Sequence, residues 1–332
     1  MSDLADIFTD DITVAVLIPC YDEALTIAKV VQDFRAVLPT ADIYVYDNNS
    51  KDGTADIARA AGAIVRSEVR QGKGNVVRQM IRDIDADYYL MVDGDDTYPA
   101  DAAPALLEPL IAGRADMTVG DRLTNGSYAN ENNRAFHALG NNLVRFLIGG
   151  LYGFRFSDVM TGYRGFNRVF AKTLPVVSPG FELETELSIH AVDKRWRIVE
   201  IPIQYSDRPE GSVSKLNTIR DGAKVLMTIA SLFKDYRPLA LFAWVALFAV
   251  IVGLILGVPV IFEFARTGLV PRLPTALLAV TFIIIGMLSL SCGMILDSLV
   301  KNNRKEYELY VIETYSRLRE SAERASHSRL RW

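Results

Sequence analysis

Cysteine is nearly absent: Cys20 and Cys292 are the only two in 332 residues. Two distant thiols build no disulfide framework, and without a Cys-x-x-Cys pair nothing points to structural zinc. Histidine is almost as scarce. His137, His190 and His327 stand far apart, which argues against a histidine-based metal centre and leaves carboxylates as ligands for any metal. Basic charge is not in excess either, since 36 Lys and Arg face 40 Asp and Glu for a net charge of −4. That balance excludes a strongly basic nucleic-acid binder. The apolar share of 50% is too high for a disordered chain, and no internal repeat or low-complexity stretch interrupts it. Asp3, Asp6, Asp10 and Asp11 give the first residues the wrong charge for a secretory signal. The N-terminal part is therefore expected to stay in the cytoplasm.

Long apolar runs are present, and both lie late in the chain. Pro238 to Phe262 and Leu273 to Leu296 carry no charge, and about 20 residues suffice to cross the hydrocarbon layer. Two transmembrane helices are predicted, at about 238–262 and 273–299. The connector from Glu263 to Arg272 holds Gly268 and Pro271 and suits a turn, so both termini share a side. Lys234 and Arg237 before the hairpin, and Lys301, Arg304 and Lys305 after it, place that side in the cytoplasm. Asp297, one turn from Lys301, reads as a hydrated helix-end group.

Leu216, Ile219, Ala223, Leu226, Met227, Ala230 and Phe233 recur at helical spacing. Residues 216–237 are thus expected to form an amphipathic helix at the membrane interface. In the tail, 301–332, apolar Tyr307, Tyr310, Val311, Tyr315 and Leu318 suit a helix for a partner or the membrane surface. A partner of that kind includes a second copy, hence a homo-oligomer.

Residues 1–215 have a different texture, with strand and helix signals in alternation. Strands are expected at Thr13 to Pro19, Ile43 to Tyr46, Ala63 to Val65 and Tyr88 to Val92. Helices are expected at Ala24 to Val37, Thr54 to Ala61, Gly74 to Ile84 and near Pro104 to Ile111. Such alternation argues for an α/β domain, a mostly parallel sheet with helices on both faces. Ligands in such sheets bind beyond the carboxyl ends of the strands.

The strand ends are acidic. Pro19-Cys20-Tyr21-Asp22-Glu23 follows the first strand, Asp47 to Thr54 the second, and Asp93-Gly94-Asp95 the fourth. On extended backbone, residues two apart point the same way, so Asp93 and Asp95 can face one point. Their hard oxygens suit Mg²⁺ or Mn²⁺ bridging a diphosphate, and Gly94 admits close approach of a sugar or ribose. A solvated acidic turn would use the same residues; the apolar strand directly before them favours the ligand site. Gln71-Gly72-Lys73-Gly74-Asn75 opens a helix, where backbone N–H groups would face phosphate, but without the spacing of a P-loop. Glu182, Glu184 and Glu186 suit the first turn of a helix, with Glu184 a reserve candidate for a base.

Taken together, Ile18 to Glu23, Asp47 to Thr54 and Asp93-Gly94-Asp95 resemble the family 2 glycosyltransferases of the GT-A, Rossmann-like fold. Gly120-Asp121-Arg122, Asp158 to Arg164 and Arg208 to Leu216 narrow the resemblance to the polyprenyl-phosphate glycosyltransferases, the group of dolichyl-phosphate mannose synthase and its bacterial two-span relatives. The likeness implies that Pro19, Tyr21, Glu23 and Asp47, with Asn49, Lys73 and Gly94 beside them, hold the nucleotide sugar. Asp93 and Asp95 would carry the metal and the diphosphate. Arg122 and Arg134 match residues that receive the lipid phosphate. Arg208, Ser214 and Lys215 match a loop that closes over the diphosphates. Asp158 and Arg164 belong to the catalytic motif, and the likeness counts Arg122 with them among the catalytic residues. Mannose synthases often carry Gln two residues beyond the second metal aspartate, where this chain has Thr97, which puts mannose in doubt.

The implied reaction is an inverting transfer of a hexose or N-acetylhexosamine from a nucleotide-diphosphate sugar, UDP-linked, to polyprenyl phosphate (undecaprenyl or dolichyl) on the cytoplasmic leaflet. The product would feed glycan or cell-envelope assembly. The competing expectations are a GDP-mannose-dependent mannose synthase and a non-catalytic membrane adaptor with a nucleotide-binding domain. The phosphate acceptor is already anionic near neutral pH, so Asp158 is expected mainly to orient.

Overall fold

The computed structural model describes residues 12–124, 145, 149–150, 153–154, 156–180, 182–206, 209 and 237–329. Arg134, His137, Arg208, Ser214, Lys215 and most of the expected interfacial helix, 216–236, lie outside the described residues. The catalytic unit and the apolar hairpin separate into two units, taken in turn.

The first unit is built on a seven-stranded sheet. Its strands are β1 (Val14–Cys20), β2 (Asp42–Asp47), β3 (Ile64–Ser67), β4 (Tyr88–Met91), β5 (Met117–Asp121), β6 (Arg164–Asn167) and β7 (Ile198–Pro202). They lie in the order β3-β2-β1-β4-β6-β5-β7. All neighbours run parallel except β6, which pairs antiparallel with both β4 and β5. β1 is buried along its whole length apart from Pro19, as expected of a strand covered on both faces. The chain leaves β1 on one side to make β2 and β3, then returns to its other side with β4. That reversal opens a crevice beyond the tips of β1 and β4.

Helices α1 (Ile27–Val37), α2 (Thr54–Ala60), α3 (Lys73–Asp83) and α4 (Ala103–Ile111) follow the first four strands in alternation. α1 turns Ile27, Val30, Val31 and Phe34 inward. These pack with Val16, Ile18, Ile43, Val45, Leu90 and Leu106 in one core, each large side chain contributing about 1.5–3 kcal/mol by leaving water. Leu25, inside the helix expected from Ala24, instead precedes α1 and is exposed. α5 (Arg168–Thr173) and α6 (Leu183–Asp193) complete the unit.

α6 is buried almost throughout. His190 meets the edge of Phe170 there, and burial, then the charge of Lys194, lowers its pKa from 6.5 to about 3. The folded protein therefore keeps His190 neutral while the unfolded chain protonates below pH 6.5. Stability on this account is full above that pH and is lost as pH falls toward 3, by about 1.4 kcal/mol per unit. His190→Leu should flatten the dependence of the unfolding midpoint between pH 6.5 and 5; an unchanged slope would reject it.

The second unit, Leu226–Leu309, holds α7 (Pro238–Thr267) and α8 as far as Leu309, α8 itself running from Leu273 to Arg329; both helices are long and apolar enough to cross a membrane. α7 stops at Gly268, whose φ of 68° and N–H bond to the Phe264 carbonyl make a left-handed cap. One expectation changes here. The second span and the tail form a single helix rather than two elements. No Gly or Pro follows Gly293, and i,i+4 contacts from Asp297 to Lys301 (2.8 Å) and Asn302 to Glu306 (3.0 Å) carry the helix past the apolar run.

Candidate active site

The loops after β1 and β2 are joined by side-chain bonds at successive residues. The Asp22 N–H donates to Ser50 Oγ at 2.8 Å, and Asp22 Oδ1 accepts from the Lys51 N–H at 2.7 Å. The Glu23 N–H donates to Thr54 Oγ1, and the Ala24 N–H to Asp52 Oδ2, both at 2.9 Å. Asp22, Asn49 and Asp96 take positive φ at the three strand tips, a conformation that Asn and Asp tolerate better than most residues. Pro19, Tyr21, Glu23, Asp47 and Asn49 thus share one rim, at the tips of the adjacent strands β1 and β2.

Asp47 is buried. Its Oδ2 accepts from the Ser50 N–H at 3.2 Å, whereas Oδ1 has no hydrogen-bond partner. A buried carboxylate oxygen left unsatisfied costs free energy until a donor arrives. The two asparagines that follow have other work. Asn48 donates to the carbonyls of Glu68 and Arg70 and accepts from Gly72, and Asn49 donates to Val69 and Gln71. They fasten the loop after β3.

The glycine-rich start of α3 also differs from expectation. The Gly74 N–H donates to the Pro179 carbonyl at 3.0 Å, and the Gly72 N–H to Asn48 Oδ1 at 2.7 Å. A Cβ at either glycine would collide with the backbone of Ser178 and Pro179. These glycines admit a crossing segment, so their N–H groups are taken and do not form a phosphate cradle. Glu186 holds that segment by accepting from the N–H groups of Val177 (3.0 Å) and Ser178 (2.8 Å).

Between the two glycines, Lys73 sends its ammonium into the crevice. It donates to Asp93 Oδ1 and, at 2.6 Å, to Glu184 Oε1. Burial opposes its charge, but Asp93 and then Glu184 outweigh burial and raise its pKa. Glu184 is thereby committed to an ion pair, which removes it as a reserve base.

Asp93-Gly94-Asp95 turns directly off β4. Thr26 on the approach to α1 donates to the Gly94 carbonyl at 2.6 Å, fixing the turn from behind. Asp95 is buried, and its Oδ1 accepts from Thr97 Oγ1 at 2.6 Å and from the Thr97 N–H at 3.3 Å. Among the described residues, no three His, Cys, Asp or Glu gather as a metal cage. Two carboxylates with hard oxygens do fit Mg²⁺ or Mn²⁺ if a diphosphate completes the ligand set. Gly162 keeps the approach to Asp93 clear, since a Cβ there would stand 2.6 Å from Asp93 Oδ2. The donor set fits.

Gly162 belongs to the segment that carries Asp158, so the two halves of the predicted site meet at Asp93. Asp158 is fully buried, and Arg122 grips it with both arms: Nε to Oδ2 at 2.6 Å and Nη2 to Oδ1 at 3.1 Å. The Arg122 guanidinium also lies 5.3 Å from the ring centre of Tyr205 and 3.5 Å from the Tyr98 hydroxyl, which accepts the Gly162 N–H at 2.9 Å. Burial raises the Tyr98 pKa despite the nearby Arg122, so it stays neutral.

Two of the arginines named for the site are engaged by the protein itself. Arg122 was expected to receive a lipid phosphate, yet its guanidinium is buried and bound to Asp158. Arg164 was expected to take part in the chemistry, yet it has no exposure. Its Nη2 donates to the Val159 (2.7 Å) and Glu184 (3.0 Å) carbonyls and to Ser188 Oγ (2.8 Å), and its Nε to the Thr161 carbonyl (3.0 Å). Burial lowers its pKa to about 10, still charged at neutral pH. It fastens the Asp158 segment to α6. Nothing local in the sequence marks Thr26 or Tyr205 for the site, whereas Tyr98 stands in the acidic tip after β4, on the rim that the strand ends single out.

A mostly parallel sheet with an Asp-Gly-Asp turn at its reversal point defines a GT-A glycosyltransferase. Residues 15–174 match the model for glycosyl transferase family 2. The glycosyltransferase AglJ of Haloferax volcanii is 32% identical over 88% of this chain and 95% of its own length. A dolichyl-phosphate hexose transferase of the same organism is 30% identical over 67% of this chain and 95% of its own. The crystal structure of glucosyl-3-phosphoglycerate synthase from Mycobacterium tuberculosis with Mn²⁺ and UDP-glucose superposes with a TM-score of 0.54. It is 22% identical and covers 70% of this chain and 82% of that one, a likeness of fold. The chain belongs to glycosyl transferase family 2.

Proposed function

We propose that this enzyme transfers a hexose or N-acetylhexosamine, with inversion, from a UDP-linked sugar to polyprenyl phosphate on the cytoplasmic leaflet. The observation that carries it is the approach of Gly162 to Asp93, which puts the acidic tip and the Asp158–Arg122 pair at one crevice. The names of the relatives support the acceptor class: one is a dolichyl-phosphate hexose transferase. The neighbour with Mn²⁺ and UDP-glucose supports the donor class.

Asp47 Oδ1 would accept an N–H from the base, as a buried acceptor lacking a donor requires. Asp93 and Asp95 would hold Mg²⁺ or Mn²⁺, which when bound offsets charge on the departing nucleoside diphosphate. Lys73 adds a fixed positive charge beside Asp93. The acceptor phosphate needs no strong base, and Asp158, with both oxygens bound by Arg122, orients rather than abstracts. Arg164 holds that segment in place. Arg134, Arg208, Ser214 and Lys215 would receive the lipid phosphate and the diphosphate. Thr97, spent on Asp95, gives no support to a GDP-mannose enzyme whose metal contact uses Gln there.

We divide the chain into a catalytic domain (1–215), an interfacial helix (216–237), the hairpin (238–300) and the tail (301–332). The hairpin would keep the site beside a phosphate that cannot leave the membrane, raising its effective concentration. Membranes carrying the enzyme should turn labelled UDP-hexose or UDP-N-acetylhexosamine, with undecaprenyl phosphate, into label soluble in organic solvent. Transfer from GDP-mannose alone would establish the mannose enzyme. Nucleotide-sugar binding without organic-soluble label would establish the adaptor.

A further inference from the structure

We propose that Glu200 is a positioning residue for transfer, setting the backbone that presents Asp158 to the substrates. The inference rests on the orienting role given above to Asp158.

Glu200 stands on β7 opposite Val119 of β5, between Val199 and Ile201 in a strand otherwise composed of Ile, Val and Pro. An acid there gains nothing from the strand itself, and burial raises its pKa against the pull of the N–H groups of Asp158 and Ser157. Its carboxylate is instead spent on another loop. The Ser157 N–H donates to Oε1 at 2.8 Å and Oε2 at 3.0 Å, and the Asp158 N–H donates to Oε1 at 3.2 Å. Carboxylate-to-peptide bonds of this kind are among the stronger neutral-to-charged contacts.

Asp158 is consequently held at two points. Glu200 fixes its peptide, and the Arg122 guanidinium fixes its carboxylate through two bonds, with the N–H groups of Arg122 and Met160 donating to the same oxygens. Two residues before Asp158, Arg145 Nε donates to the Phe156 carbonyl at 2.7 Å. One fixed end would leave the side chain free to pivot; two define its direction. Glu200 touches no expected substrate position, so it acts through Asp158 and is not itself catalytic.

Glutamine is nearly the same shape but offers one oxygen, and its amide NH₂ would face a peptide N–H, donor against donor. In the full-length enzyme in nanodiscs, Glu200→Gln should lower kcat about tenfold to a hundredfold, the scale of a misplaced group. KM for UDP-sugar and for undecaprenyl phosphate should each stay within about twofold. Amide hydrogen exchange in the peptide covering 157–158 should quicken. Combined with Asp158→Asn, the second change should cost no further rate, because both act through one group.

Unchanged exchange at 157–158, multiplying losses in the double variant, or an effect confined to either KM would overturn the proposal. Should Glu200→Gln fail to fold, Glu200→Asp, which keeps the charge but shortens the reach, is read by the same quantities. Failure of the underlying assignment looks different. Asp158→Asn would then transfer at the wild-type rate while Glu200→Gln still quickened exchange, and the catalytic consequence proposed for Glu200 would fall with it.

Discussion

Asp95→Asn is expected to lower kcat about a thousandfold, the scale of several kcal/mol in charge stabilisation, with the fold intact. Asn keeps an oxygen for the Thr97 hydroxyl, which donates to Asp95 Oδ1 at 2.6 Å, so the turn retains its internal bond. What is lost is the second anionic ligand. Asp93 cannot compensate, because Lys73 already binds one of its oxygens. Mn²⁺ titration followed by electron paramagnetic resonance, with UDP present, should show weaker metal binding in Asp95→Asn. Asp95→Ala should lose as much activity and also some stability, since the Thr97 hydroxyl is then left with one acceptor fewer in a buried place. Wild-type rates in Asp95→Asn, or full wild-type activity in EDTA, would reject the metal assignment.

Arg122→Ala should fail in another way, by damaging the fold as well as the rate. Asp158 has no solvent exposure, and its carboxylate receives two bonds from the Arg122 guanidinium, besides those from the N–H groups of Arg122 (3.5 Å) and Met160 (3.2 Å). Removing one member of a buried ion pair costs about 3–5 kcal/mol, because the remaining charge stays in a poor environment. The unfolding midpoint should drop clearly, and kcat should fall rather than the acceptor KM alone. Adding Asp158→Asn to Arg122→Ala should recover much of the midpoint but none of the rate, since the neutral amide removes the stranded charge without restoring a director. A normal midpoint with a raised KM for polyprenyl phosphate alone would return Arg122 to direct contact with the lipid.

These two expectations show where the sequence was informative. The positions of β1 to β4 and α1 to α4 agree with their patterns to within a few residues, because apolar periodicity reports burial directly. β6 escaped notice for a physical reason: Arg164-Gly165-Phe166-Asn167 opens with a buried arginine and has no strand-like alternation. Without β6 the antiparallel insertion between β4 and β5 could not be foreseen. The Asp-Gly-Asp turn was recognisable because its two carboxylates stand only two residues apart. Lys73 and Glu184, by contrast, are 111 residues apart, and nothing local in either stretch announces the pair. Gly72 and Gly74 were visible as special but misassigned, since the carbonyls that require them belong to Ser178 and Pro179.

The seam between the loops after β1 and β2 has a further bearing on how a donor is chosen. Four bonds tie Asp22, Glu23 and Ala24 to Ser50, Lys51, Asp52 and Thr54, so neither loop opens without the other. On the proposed assignment of this rim to the donor, an incoming nucleotide would meet a socket cast in advance, with little ordering left to be done on contact. Discrimination among bases then falls to fit and to hydrogen-bond polarity at a rigid wall, and a change of donor would require recasting both loops together.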